Sequence, residues 1–190
     1  MNHRLPVPLA KAYRLLNHGP TVLVTCAHGG VSNVMAAAWS MPLDFMPPKV
    51  AVVIDKNTHT RKLVEASGEF SLNVPSRRQA AETLASGSTS GRDGDKIDQL
   101  GWQVFPGTLT GAPLLEGCLG WLECRVIDEP HIQQSYDLFL GEVVAAHADS
   151  RAFRDGHWVF EAGSPRSIHY VAGGNFFETG EGFEARKPGE

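Results

Sequence analysis

The stretch SNVMAAAWSMPLDFMPPKVAVVIDKNTHTRKLVEASGEFSLNVP, Ser32 to Pro75, changes its hydrophobic period repeatedly, and each change marks an element boundary. Val31 to Met41 is β-rich, with small residues at Ala36, Ala37 and Ala38, and Pro42 to Pro48 reads as a proline-rich loop. Lys49 to Asp55 carries VAVVI, apolar on both faces, which places a strand inside a barrel or sandwich. Asn57 to Ala66 shifts to helical spacing: Asn57 or Thr58 can cap, Leu63, Val64 and Ala66 form a short stripe, and Ser67-Gly68 closes the helix. Glu69 to Val74, EFSLNV, returns to strand alternation. A buried strand therefore runs directly into a helix start whose unpaired N–H groups and hydroxyls suit a phosphate. The same residues also describe an ordinary capped helix with a solvated basic face at Arg61 and Lys62.

Toward the N-terminus, Thr21 to Ala27 (TVLVTCA) is a β-rich run. The His28-Gly29-Gly30 turn makes it a hairpin with Val31 to Met41. Leu9 to Asn17 has helical spacing and stops at His18-Gly19-Pro20. Toward the C-terminus, Arg77 to Ala85 reads as a short helix and Ser86 to Gly94, SGSTSGRDG, as a loop on the surface or over a ligand. Ala112 to Leu115, Cys118 to Asp128 and Tyr136 to His147 read as strands, the last two an antiparallel pair joined by a connection from Glu129 to Ser135. A turn centred on Gly156 joins two short strands within Arg151 to Glu161, and residues 181–190 form a polar, mobile tail. Hairpin-linked strands with few short helices point to a closed or nearly closed antiparallel barrel, one domain spanning residues 1–190.

With 190 residues, 42% of them hydrophobic and 20% charged, the chain is long enough for one sizeable core. A net charge of -4 argues against nucleic acid or acidic membrane surfaces as partners. No apolar run approaches the roughly 20 residues that cross a bilayer, and the N-terminus lacks the pattern of a signal peptide, so a cytoplasmic location is expected. Cys26, Cys118 and Cys124 contain no C-x-x-C and read as reduced, mostly buried thiols. The eight histidines show no ligand spacing, so no metal is expected. Dinucleotide-fold, Walker, nucleophile-elbow and zincin signatures are absent from the sequence.

The order of these segments, continued by SGRDGDKID (Ser90 to Asp98), LFLGEVVAA (Leu138 to Ala146) and Tyr170-x-x-Gly173-Gly174-Asn175-Phe176, resembles the flavin reductase-like family of FMN-binding split barrels, especially its flavoredoxin-like branch. The resemblance covers almost the whole chain. It implies a mostly β, antiparallel Greek-key split barrel with a few short helices and one non-covalent FMN. On matching positions, the main chain of Ala36, Ala37, Ala38, Trp39 and Ser40 would follow the isoalloxazine edge, with Asn33 and Trp39 touching the ring or ribityl chain by side chain. Thr58, His59 and Thr60 would grip the phosphate. Lys96 would supply a cation there, helped by Ser90, Gly91 and Arg92, and Phe176 or Phe177 would cover one ring face. From the residues alone, Trp39 reads equally as a core anchor, Lys96 as a solvated lysine or a partner of Asp95 or Asp98, and the phenylalanines as anchors of the tail.

The resemblance also implies two-electron redox through FMN, with NAD(P)H or a redox protein as the other reactant, and a homodimer. The strands Leu119 to Ile127 and Leu138 to Ala146 fit such an interface, and buried core explains them equally well. One departure bears on the reaction. Relatives carry an Asp-His pair just before the strand that reads LFLGEV here, whereas this chain has Ser135-Tyr136 and then Asp137. His131 is the nearby candidate to replace that histidine. The sequence therefore names no catalytic residue, and a non-catalytic FMN electron carrier stands as the alternative.

Overall fold

A computed structural model describes residues 3–189. In chain order it contains β1 (Arg4–Pro6), α1 (Leu9–Ala12) tightening into a 3-10 turn through Leu15, β2 (Val22–His28), β3 (Val31–Ala37), β4 (Ser40–Phe45), β5 (Pro48–Val53), α2 (His59–Ser67) and β6 (Glu69–Val74). A 3-10 turn at Arg77–Gln79 leads into α3 (Ala80–Ser88), followed by α4 (Lys96–Gln99), β7 (Val104–Phe105), β8 (Leu114–Leu115), β9 (Gly120–Ile127), α5 (Pro130–Tyr136) and β10 (Leu138–Asp149). Two short hairpins follow: β11 (Phe153–Arg154) with β12 (His157–Trp158), and β13 (Ile168–Ala172) with β14 (Asn175–Glu178).

The main sheet is antiparallel in the order β3-β2-β6-β9-β10-β5-β4, with β1 beside the far end of β10. Its edge strands β3 and β4 are consecutive in sequence, separated only by Ala38 and Trp39. So short a link forces the sheet to curl until its edges meet at one corner, which is the split-barrel geometry expected from the sequence. The Val53 N–H donates to the Trp39 carbonyl at 3.0 Å and pins that corner.

The barrel interior is filled by Val22, Val24, Val50, Val52, Phe70, Leu72, Leu122, Phe139 and Val143, and α2 adds Leu63 and Val64 to the same cluster. A second cluster lies on the other face, where Leu23, Val34 and Trp121 are covered by Ile97, Trp102, Leu114 and Leu115. Strands β9 and β10 sit mid-sheet with their apolar side chains in these cores. Gly141 of β10 has no room for a Cβ, which would lie 2.6 Å from the Phe70 ring. All three cysteines are free and buried.

Several boundaries differ from the sequence reading. Pro42 to Pro48 is not a loop: β4 occupies Ser40–Phe45, because an edge strand tolerates Pro42 and a register shift between Pro42 and Asp44 absorbs the irregularity. The connection expected from Glu129 to Ser135 is helix α5, started by Pro130 in its first turn and ended by Asp137 in the left-handed conformation at φ 56°. Tyr136 thus ends a helix instead of starting a strand. Helix α3 runs on through Ser86-Gly87-Ser88, into the expected loop. No helix among the described residues is long and apolar enough to cross a membrane.

Candidate functional site

The buried run of β5 stops at Ile54, and Asp55 to Thr58 turns the chain into α2. Thr58 caps the helix: its Oγ1 accepts from the Arg61 N–H at 3.3 Å and donates to the Asp55 carbonyl at 2.7 Å, so this hydroxyl is committed on both sides. The first-turn N–H groups of His59 and Thr60 have no intrahelical acceptor. Thr60, 1% exposed, accepts at Oγ1 from Asn33 Nδ2 at 2.8 Å and keeps its own proton for a further acceptor. Asn33 Oδ1 is buried without a partner. Gly91 presses against it; a Cβ there would lie 2.3 Å from Asn33 Oδ1.

These groups surround a small cavity of about 170 Å³ lined by Asn33, Thr58, His59, Thr60, Ser90, Gly91 and Lys96. Lys96 is 3% exposed and has no hydrogen-bond or ion-pair partner among the described residues. Asp95, the neighbour that could have neutralised it, is turned to cap α4 through the N–H groups of Ile97 and Asp98. Burial lowers the Lys96 pKa to about 8. A buried cation beside unpaired N–H groups and a free hydroxyl proton suits an anion.

Met35, Ala36 and Gly87 are shared with a larger cavity of about 600 Å³, so the two form one groove. One wall is Ala36, Ala37, Ala38 and Trp39 at the barrel corner; the other comes from Thr83, Leu84, Gly87 and Ser88 of α3. Because β3 is an edge strand, alternate backbone N–H and C=O groups on its open side are unpaired, and small side chains leave them reachable. Tyr170, Val171 and Phe176 from the β13–β14 hairpin reach over the groove, and Tyr136 and Asp137 line its far end.

Most of the residues named from the sequence meet here, with instructive exceptions. Trp39 is 75% exposed at the groove mouth and anchors no core. Phe176 lines the groove, whereas Phe177 stacks on His169 with ring centroids 4.6 Å apart. Ser40 starts β4 and lines neither cavity, and Arg92 bonds the Asn57 carbonyl at 2.6 Å without lining either. Arg61 lines neither cavity, pairing with Glu65 at 2.8 Å and with Asp137 of the groove's far end at 2.5 Å, and donating to the Gln133 carbonyl at 2.9 Å. His131 packs edge-on to Tyr136 and lines neither cavity. Sequence reasoning missed Thr83, Gly87 and Tyr136; only the small-residue run SGSTSG hinted that the end of α3 approaches another surface.

A curled antiparallel sheet whose corner strand, helix start and buried lysine share one groove defines a split barrel suited to a planar ligand with an anionic tail. The chain belongs to the flavin reductase-like domain family, whose model matches residues 14–169. It is similar to the uncharacterized protein YddH of Escherichia coli (strain K12), 45% identical over 184 residues that cover 95% of this chain and 97% of the relative. An FMN-binding domain of a flavin reductases-like enzyme from Shewanella baltica OS155 superposes with TM-score 0.94 at 48% identity, covering 97% of this chain and 98% of that one. Flavoredoxin of Desulfovibrio vulgaris (Miyazaki F) follows with TM-score 0.76 at 27% identity, over 90% and 91% of the two chains.

Proposed function

We propose that the groove holds one FMN and that the protein is an FMN-dependent oxidoreductase working with NAD(P)H. The observation that carries the reading is the polarity of the groove. Its small end gathers an unpartnered buried lysine, an orphaned Asn33 oxygen and a free Thr60 proton, and its large end is wider and mostly apolar. FMN has that polarity, and the FMN-binding relative from Shewanella baltica supports the assignment. When bound, FMN supplies reversible two-electron redox chemistry.

The chain's own residues bind and orient. Lys96 and the Thr60 hydroxyl face the phosphate, with the His59 and Thr60 N–H groups behind them. The orphaned Asn33 Oδ1 accepts from a ribityl hydroxyl. The open backbone edge of β3 meets the polar rim of the ring, and Tyr170 and Phe176 exclude water from one face. Purified protein should carry a flavin spectrum and release FMN by mass, and it should oxidise NADH or NADPH in steady state.

A specific arrangement favours a second reading, an FMN electron carrier without nicotinamide turnover. Among the described residues no histidine lines the larger cavity, and Asp137 is tied up by Arg61. Fast reduction by a chemical or protein donor without oxidation of either nicotinamide would select it.

We further propose a homodimer. Its support is a stripe on edge strand β4, where Met41, Leu43 and Phe45 point outward beside exposed Trp39 and Met46. A 20.6 kDa species in sedimentation at micromolar concentration would refute it.

A further inference from the structure

At the other end of α3 and of the β13–β14 hairpin lies a concavity of about 1030 Å³ that the flavin reading does not use. Five arginines line it: Arg77 and Arg78 from the 3-10 turn before α3, Arg151 from the turn after β10, Arg154 from β11, and Arg166 from the approach to β13. In a chain with 17 Lys and Arg against 21 Asp and Glu, this convergence is not a consequence of composition.

The charges are only partly answered. Arg77 pairs with Glu178 at 2.8 Å, Arg154 with Glu161, and Arg151 with Asp149. Arg78 has no hydrogen-bond or ion-pair partner among the described residues. Arg166 is held rigidly, but by carbonyls alone: Nη1 donates to Gly180 at 2.6 Å, and Nη2 to Phe160 at 3.0 Å and Glu161 at 3.2 Å. Two guanidiniums thus keep their full charge, and the Arg77 and Arg154 pairs are solvent-exposed, so an incoming anion exchanges with them at little cost. The floor is firm, because Ser76 bridges Ser167 and the Arg77 N–H donates to the Arg166 carbonyl at 3.1 Å.

Planar guanidinium forks converging on a concave volume match the oxygens of phosphate groups in several directions at once. A nucleic-acid surface would be a basic stripe on a basic protein, which this chain of net charge -4 is not. We propose that this cavity is a second ligand site, binding a small molecule that carries two or more phosphate groups. The site is separate from the flavin groove: four residue steps of extended chain, roughly 13 Å, part Arg166, just before β13, from Tyr170 within it. The proposal therefore stands whether or not the groove holds FMN.

Calorimetric titration of the full chain, saturated with FMN at low ionic strength, tests it with inorganic phosphate, tripolyphosphate and 2′,5′-ADP as probes. The expected result is saturable one-to-one binding of tripolyphosphate or 2′,5′-ADP, tighter than inorganic phosphate and weakening as salt is added. Arg78→Glu breaks no bond of the fold and should weaken that binding about tenfold. Preference for 2′,5′-ADP identifies the phosphorylated ribose arm of a dinucleotide as the source; preference for tripolyphosphate identifies a free polyphosphate chain. The proposal is overturned by no saturable binding up to about 10 mM, by unchanged affinity in Arg78→Glu, by one equivalent of FMN released on probe binding, or by tighter binding of an oligoglutamate peptide.

Discussion

Asn33 of edge strand β3 and Thr60 of the first turn of α2 are joined by a 2.8 Å hydrogen bond, Nδ2 donating to Oγ1 across 27 residues of sequence. Both are buried, so the bond forms in a low-dielectric setting where its geometry is strictly kept. It does two things at once. It turns the Thr60 proton toward the small cavity, and it leaves Asn33 Oδ1 as an acceptor with nothing to accept from within the protein. The edge of β3 and the start of α2 are therefore joined into one site, not two neighbouring ones.

Thr60→Ala should weaken FMN binding by about 1 to 3 kcal/mol, the range for a hydrogen bond to a charged group, and leave riboflavin affinity nearly unchanged. Fluorescence titration with the two flavins makes the comparison. Equal losses for both would place Thr60 away from the phosphate.

Gly91→Ala tests the same relationship from the other side. The added methyl would sit 2.3 Å from Asn33 Oδ1 and 2.8 Å from its Cγ, so Asn33 must move. FMN affinity should fall by at least as much as in Thr60→Ala. The double variant Asn33→Ala/Gly91→Ala should lose little more than Asn33→Ala alone, since the severe clash has gone and only a 3.1 Å approach to His59 Cδ2 remains. Additive losses in that cycle would show that Gly91 acts through something other than Asn33.

Lys96 sets a pH dependence. Burial lowers its pKa to about 8 in the flavin-free protein, and a bound phosphate raises it again by favouring the ammonium form. Binding above pH 8 then takes up a proton, so FMN affinity should be level near pH 7, where the phosphate is already mostly dianionic, and fall above pH 8, approaching tenfold per unit. Lys96→Met should bind more weakly at pH 7 and show a flat profile to pH 9.5. A wild-type profile equally flat would mean that the phosphate does not face Lys96.

How much of this was legible beforehand follows from the range of each signal. The strand-to-helix switch at Asp55 to Thr60 is written in local periodicity and capping chemistry, and α2 begins within two residues of where they put it. The fate of Arg61 is not written there. Its partners are more than seventy residues away: Gln133 lies on α5, where the sequence reads as a connection between strands, and Asp137 ends that helix, where the sequence reads as a strand. Helix α5 has little apolar periodicity, and only Pro130 hints at it. Likewise Ala37 and Ser40 fall in one continuous β-rich run, and nothing local says that the sheet closes on itself between them. That break is a property of strand order, which no short-range pattern encodes.

Arg61→Ala should lower the stability of the flavin-free protein by about 3 kcal/mol, because it leaves a carboxylate and buried carbonyls without their donor. Equilibrium unfolding in urea measures it. The loss should come with a shift of Asp137 and Tyr136 at the groove end, read as a change in quenching of bound flavin. A stability change under 1 kcal/mol would mean that solvent replaces the guanidinium without cost.

Glu123 offers the clearest test of acid sensitivity. It is fully buried on β9 and accepts from the N–H groups of Thr108, Leu109 and Thr110 at 2.8, 2.7 and 2.9 Å, and from the Thr110 hydroxyl at 3.2 Å. Burial alone would raise its pKa, but the donors of Leu109, Thr108 and Thr110 outweigh it and hold the carboxyl below its usual value. A group whose pKa is depressed on folding stabilises the fold fully above the unfolded value and loses that contribution as pH falls through the folded one. Wild-type stability should therefore drop progressively below pH 4.5, the ordinary value of a glutamate carboxyl. Glu123→Gln faces the N–H donors with a neutral amide, so it should cost about 2 kcal/mol at pH 7 and show a shallower fall between pH 5 and pH 3. Urea unfolding across that range decides it, and parallel curves for the two proteins would sink the assignment. The loop that Glu123 holds carries the chain from β7 to β8, which cover the cluster containing Ile97, the residue next to Lys96. The variant should on that account also bind FMN more loosely than its unchanged groove residues would suggest.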